Sequence, residues 1–335
     1  MSRDFGRLYL HERCLNSEKI SRVRVSLNTK RSRMFVLIWC LLALSPVELP
    51  SSAKQAIAIV QTAPPAGSRN KNRTHWQTMA NAAKLAHVYN AIRQNVSGLD
   101  AKGYVDGAIV ELGVWRGGSS MVMMWAELAA RTAWQQNAQE APWRDFWLYD
   151  TFEGMPAPGK YEEKRAHRRW AGAGEYTRNK NWSTAVRRIG GDGNAYVDQA
   201  GIKRWNYSPL EVVQRNVETT GYPKERVHYI KGTVETTLIE QLRSKALPSR
   251  IAVLRLDTDW YESTKAEFEV LAPRLAVGGL LIVDDYCSWA GARKATDEFL
   301  LNHRPEFFVE HDGSGLKASR LAECFAMWRV RAPRT

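Results

Sequence analysis

Short apolar runs recur along the chain at Ala108 to Leu112, Phe146 to Tyr149, Val227 to Lys231, Ile251 to Leu256 and Gly279 to Val283. Runs of this length, apolar almost throughout, predict strands buried on both faces. Between them, residues Ser119 to Arg131, Pro209 to Thr219, Val234 to Lys245 and Ser263 to Ala272 carry helical spacing, and Ala290 to Asn302 follows the last run. Strand and helix in alternation predict an α/β fold. The expected form is Rossmann-like: a doubly wound, mostly parallel sheet with helices on both faces. An amphipathic helix is expected ahead of the first strand, over Trp76 to Val96, with Met79, Ala83, Ala86 and Tyr89 on its apolar side. Phe307 to His311 and Ala322 to Arg329 read as a terminal hairpin, and no internal repeat is visible.

Two stretches break the rhythm. Residues 159–206 are polar, basic and glycine-rich, with Trp170, Trp182 and Trp205 interspersed. A long irregular insertion in a compact domain is usually functional or disordered; the tryptophans argue against disorder, and this one is expected to form a lid, with a solvated surface loop as the alternative. Residues 1–70 read as a poorly ordered leader and linker, ending at the breaker Pro64-Pro65-Ala66-Gly67-Ser68. Within it, the apolar run Met34 to Leu44 sits behind a basic arm. The run is shorter than the roughly 20 residues of a membrane span, although its length suits a signal-peptide core. The α/β domain that carries this insertion is expected over 71–335.

Composition narrows the class. Across 335 residues, 44% hydrophobic and 25% charged content is ordinary for a globular protein. The formal charge of +13 is concentrated in the N-terminal arm and in the basic insertion. No recognition motif accompanies it, so nucleic acid is not expected as a partner. The four cysteines, Cys14, Cys40, Cys287 and Cys324, lack Cys-x-x-Cys spacing. Neither a zinc site nor a disulfide framework is indicated.

The candidate chemistry lies at strand ends, where open α/β sheets gather their ligands. Asp257 and Asp259 follow one apolar run, and Asp284 and Asp285 follow another. Carboxylates brought together from two strand ends call for a cation. Asp257, Asp284 and Asp285 are therefore expected to ligate Mg²⁺, a hard ion that takes oxygen donors. Asp259 is expected to bind or orient substrate, and either Asp257 or Asp259 to serve as general base.

The stretch Glu111-Leu112-Gly113-Val114-Trp115-Arg116-Gly117-Gly118-Ser119 links a strand to a helix. Glycines there let backbone approach a ligand, and the helix start offers free N–H groups. It has neither dinucleotide nor P-loop spacing, and Glu-x-Gly-x-x-x-Gly suits S-adenosylmethionine. Glu111 is expected to hold the methionine ammonium, directly or through water, with Gly113, Gly117 and Ser119 beside it. Asp150, ending the second strand, is expected to accept both ribose hydroxyls. Gly232 and Thr233, ending the third, are expected to border the adenine. No histidine pair has metal-ligand spacing, and no Gly-x-Ser-x-Gly elbow is present.

These blocks resemble the macrocin O-methyltransferase family: Glu111 to Ser120, Tyr149 to Pro156, Pro209 to Gly221, Leu254 to Thr264 and Val283 to Lys294. The likeness runs from about residue 76 to about residue 330, leaving the leader outside it. It implies a class I S-adenosylmethionine-dependent O-methyltransferase fold and Mg²⁺ dependence. Asp257, Asp284 and Asp285 fall where the family's metal ligands lie, and Asp257 also where a general base is proposed. Glu111, Gly113 and Asp150 fall in its cofactor motifs. The implied acceptor is a small molecule or glycan with vicinal hydroxyls, in secondary-metabolite or glycan biosynthesis. A catechol is the nearest chemical alternative, and a non-catalytic cofactor-binding protein the functional one. A cytosolic cofactor favours the cytoplasm over export; no membrane partner is expected, and a homo-oligomer is compatible with this reading.

Overall fold

The structure is a computed structural model. It describes residues 52–62, 77–78, 80–98, 103–137, 142–156, 161, 196–197, 203–204, 206–286, 289–303, 307–311 and 325–331. All of these lie in one compact unit, Val47–Thr335. The apolar run 34–44 and most of the insertion 159–206 fall outside the described residues. Among those described, no helix is long and apolar enough to cross a membrane.

The first described element departs from the expected leader. Ala53–Thr62 is a helix, α1, whose Ala56, Ile57 and Val60 are buried in the core. Their three- and four-residue spacing is that of a helix stripe, short enough to be overlooked between a basic arm and a Pro-Gly breaker. The next helix, α2 (Ala82–Asn90), starts later than expected, because Asn81 caps it by accepting from the Lys84 amide. It then loosens into a π-helical turn, Ala91–Val96.

The core alternation appears as expected: β1 (Ala108–Leu112), α3 (Gly118–Gln136) and β2 (Phe146–Asp150). Two short strands, β3 (Tyr196–Val197) and β4 (Lys203–Arg204), pair with each other at the end of the insertion. Then come α4 (Leu210–Glu218), β5 (Val227–Lys231), α5 (Val234–Ser244) and β6 (Ile251–Leu256). The chain continues through α6 (Tyr261–Leu271), β7 (Leu275–Val283), α7 (Ala290–His303), β8 (Phe307–His311) and β9 (Ala326–Val330). The main sheet has seven strands in the order β5-β2-β1-β6-β7-β9-β8. The first five in that order run parallel, while β9 is antiparallel to both β7 and β8. The expected terminal hairpin is the antiparallel edge.

Burial on both faces follows from strand alternation. Ile109, Phe146, Leu148 and Ile282 join α1 to α4 in one hydrophobic cluster. Val110, Leu112, Leu254 and Leu281 join residues of α5, α6 and α7 in the other. The sheet is therefore doubly wound. Replacing Ile57 with Ala should cost about 2–5 kcal/mol of unfolding free energy in a denaturant titration. A loss below about 0.5 kcal/mol, the usual range for a surface position, would detach α1 from the core.

Candidate active site

Strand order reverses between β1 and β6, and a crevice beyond the carboxyl ends of the strands follows from that reversal. A cavity of about 510 Å³ lies there, within the usual range for a small-molecule site. Gly113, Ser119, Asp150, Gly232 and Thr233 line it, and so do Asp257, Asp259, Asp284 and Asp285. The two halves of the sequence expectation thus meet in one cavity.

Glu111 does not line it. The side chain is fully buried beneath the floor, accepts the Ser120 hydroxyl, and pairs with Arg255 at 2.6 Å. The reason is register: Glu111 and Arg255 are direct partners across β1 and β6, so the acid is spent on its neighbour. Gly117 is also off the wall. It caps α3 in a left-handed conformation, and a Cβ there would meet Val213 and Val217 of α4 at 3.3 Å. Helix packing accounts for that glycine. Gly113 does line the cavity, but its first constraint is backbone: a Cβ would lie 2.0 Å from the Asp257 carbonyl oxygen.

Asp150 organises the turn it faces. One carboxylate oxygen accepts the amides of Val114 and Trp115 at 2.8 and 2.9 Å, the other that of Phe152 at 2.8 Å. A carboxylate offers about four acceptor sites. The Thr151 hydroxyl lies 3.4 Å from the second oxygen as well, so much of this carboxylate is committed to its own turn. Burial pushes this carboxyl up, against the pull of the three amides.

The family profile described as "Macrocin-O-methyltransferase (TylF)" matches residues 44–176 and 194–307. The chain belongs to the macrocin O-methyltransferase family. The match reaches back over α1 and so includes part of the stretch expected to be leader. One relative, the 8-demethyl-8-(2,3-dimethoxy-alpha-L-rhamnosyl)-tetracenomycin-C 4'-O-methyltransferase of Streptomyces olivaceus, is 33% identical over 185 residues, 54% of each chain. Another, the mycinamicin III 3''-O-methyltransferase of Micromonospora griseorubida, is 27% identical over 224 residues, 65% of this chain and 70% of that one. The chain spans little more than half the length of the first of these. The solved structure of the O-methyltransferase NovP covers 84% of this chain and 98% of its own at 22% identity, with a TM-score of 0.55, a likeness of fold.

In this family member the acids divide into two sets. Asp284 is held by cations: one oxygen accepts Arg255 at 2.8 Å and the other Lys84 at 3.1 Å. Burial opposes its ionisation, but Lys84 and Arg255 hold it below the ordinary carboxylate range. Asp257, Asp259 and Asp285 instead converge, each offering an oxygen within 4.8 Å of the others. Of the expected Asp257, Asp284 and Asp285 set, Asp284 lies outside this cluster, where Lys84 reaches it from α2, and Asp259 lies within it. Asp257 also pairs with Arg255, at 2.7 Å.

Burial and mutual repulsion push Asp257 and Asp285 well up. Asp259 is pushed to about 7, chiefly by burial, and lies close enough to Asp285 to share a proton. One oxygen of Asp285 is buried without a partner. Five carboxylates, Glu111 included, face the two cations Arg255 and Lys84. A converging oxygen set with an orphaned member and an excess of negative charge fits a hard divalent cation such as Mg²⁺.

The turn carrying Asp257 and Asp259 is braced from behind. Asp259 adopts a left-handed backbone, φ 69°, which Asp tolerates better than most residues. The Thr258 hydroxyl lies 2.8 Å from both Ser263 Oγ and Glu267 Oε1, while Ser263 donates to the Trp260 carbonyl. The Glu267 carboxyl accepts from Thr258 and ties the turn to α6. Its complete burial pushes the carboxyl well up, and its second oxygen has no partner. Arg255, Lys84 and Glu267 were missed in the sequence. Only Arg255 left a signal, a lone cation inside an apolar strand.

Asp259 sets a pH test. Its folded value of about 7 exceeds the ordinary 3.8. Above pH 7 the folded state carries a charge that the unfolded chain solvates better. The penalty falls as pH drops from 7 toward 4 and vanishes below the unfolded value of 3.8, where both states are protonated. Asp259→Asn should therefore raise the Tm of the cation-free protein at pH 8, by the equivalent of at most about 4 kcal/mol. The gain should shrink steadily toward pH 4. A gain independent of pH would show that Asp259 keeps an ordinary value.

Proposed function

We propose that the chain is an S-adenosylmethionine-dependent O-methyltransferase acting on a hydroxyl of a sugar-bearing small molecule. The observation that carries this reading is the convergence of Asp257, Asp259 and Asp285 on a cavity that also reaches the glycine-rich turn after β1. Family membership supports the reaction type. The printed name of the tetracenomycin relative, with its rhamnosyl group, supports a sugar as acceptor.

S-adenosylmethionine supplies a methyl group on sulfur, which leaves as a neutral thioether, and Mg²⁺ supplies positive charge that eases loss of a nearby hydroxyl proton. Asp257 and Asp285 would hold the cation, in keeping with the one or two carboxylates Mg²⁺ usually takes from protein. Asp257 is fixed for this by Arg255. Asp259 is left as the general base, accepting the acceptor's hydroxyl proton on a carboxylate oxygen. Among the described residues no lysine or arginine forms an ion pair with it. A value near 7 also suits a base working at neutral pH. Trp289 lines the same cavity and packs edge-on against Trp260, with ring centroids 5.0 Å apart. Trp289 gives the acceptor an apolar wall beside the acids, with Trp260 packed against it.

Calorimetry with S-adenosylhomocysteine tests the class, and turnover on rhamnosylated and catechol acceptors, with Mg²⁺ or with EDTA, tests the chemistry. Binding, and turnover that EDTA abolishes, are expected. Asp259→Asn should lower kcat at least 100-fold while S-adenosylhomocysteine affinity changes little. Near-normal turnover in that variant would remove Asp259 as the base. A folded wild type that does not bind S-adenosylhomocysteine would remove the methyltransferase reading.

A further inference from the structure

Resting on that reading, one question follows from the placement of Glu111. The amino-acid end of S-adenosylmethionine carries an ammonium with three N–H donors, and the acid expected to receive it lies under the floor, bound to Ser120 and Arg255. Asp150 is largely committed to backbone amides. Another acceptor is needed beside the start of α3, where free backbone amides favour the carboxylate of the same amino acid.

Gln77 is at that place. Its backbone carbonyl accepts the Gly118 amide at 2.8 Å, and its own amide donates to Val60 of α1 at 3.2 Å. The approach is close: a Cβ on Gly118 would lie 2.3 Å from the Gln77 carbonyl oxygen. The next residue, Thr78, has its hydroxyl 3.5 Å from that of Ser119, and all three residues line the cavity. The Gln77 residue is 6% exposed, yet its side-chain oxygen has no hydrogen-bond partner. A buried amide oxygen without a donor carries a desolvation cost. The terminal amide turns about a soft torsion, and Gln77 lines the cavity in which the donor would sit.

We propose that the Gln77 side-chain amide is the acceptor for the α-ammonium of the cofactor's amino-acid end. A neutral acceptor suits this place, since a carboxylate would add to the negative excess around Asp257 and Asp285. The backbone bonds of Gln77 also tie α1 to this function, because they fix the side chain against α3.

A thermodynamic cycle on the full chain tests it. Calorimetry measures S-adenosylhomocysteine and its deaminated analogue, with hydrogen in place of the amino group, against wild type, Gln77→Leu and Gln77→Glu. Loss of the amino group should weaken binding to wild type about 10- to 100-fold, the scale of a hydrogen bond to a charged group. In Gln77→Leu that penalty should vanish, with the analogue binding both proteins alike. Gln77→Glu, which keeps an oxygen acceptor, should retain the penalty. The same penalty in Gln77→Leu as in wild type would overturn the assignment alone. A wild type that binds neither ligand would overturn the methyltransferase reading and this assignment with it.

Discussion

The architecture of the site depends on one buried cation. Arg255 sits inside β6 with its side chain almost wholly enclosed, reaching Glu111 on β1, Asp257 at its own strand end and Asp284 beyond β7. A guanidinium presents its donors in a rigid fork, so three carboxylates from three strands are held in fixed relation. An ionised group placed in a sheet interior is costly unless its partners are close and well aligned. Glu111 and Asp284 pair with the cation, Asp257 is oriented by it, and Asp259 and Asp285 make no ion pair with it among the described residues.

The strands were legible because each is a short apolar run ending in a charged or glycine-bearing turn. The acids were legible for the same reason, since a strand end fixes where a carboxylate emerges. Pairing across the sheet was not. Glu111 looked like a ligand group because it opens a glycine-rich motif, and nothing local shows that Arg255, far along the chain, lies opposite it. Asp284 looked equivalent to Asp285, but Lys84 on α2 separates their roles through a contact that no spacing rule contains. Helix α1 failed for a different reason. Its buried stripe of Ala56, Ile57 and Val60 is too brief to outweigh the breakers around it, and packing against α2 and α3 supplies what local propensity does not.

Charge explains how a basic chain builds an acidic pocket. The +13 balance resides largely in the N-terminal arm and the insertion, whereas the cavity gathers carboxylates with few local cations. Behind the wall, Glu267 accepts from Thr258 and Ser263 donates to the Trp260 carbonyl, bracing the turn that presents Asp259. Burial pushes the Glu267 carboxyl well above its ordinary range.

The contact between Gly113 and the Asp257 carbonyl has a consequence for how such a site diversifies. The turn after β1 and the first acid of the cluster touch backbone to backbone, with no side chain between them to absorb a change. A side chain at residue 113 would push directly on the strand end that carries Asp257, so these two strand ends can change only together. The spacing between the glycine turn and the acid cluster is thereby set by backbone, and side-chain changes elsewhere in the cavity leave it untouched.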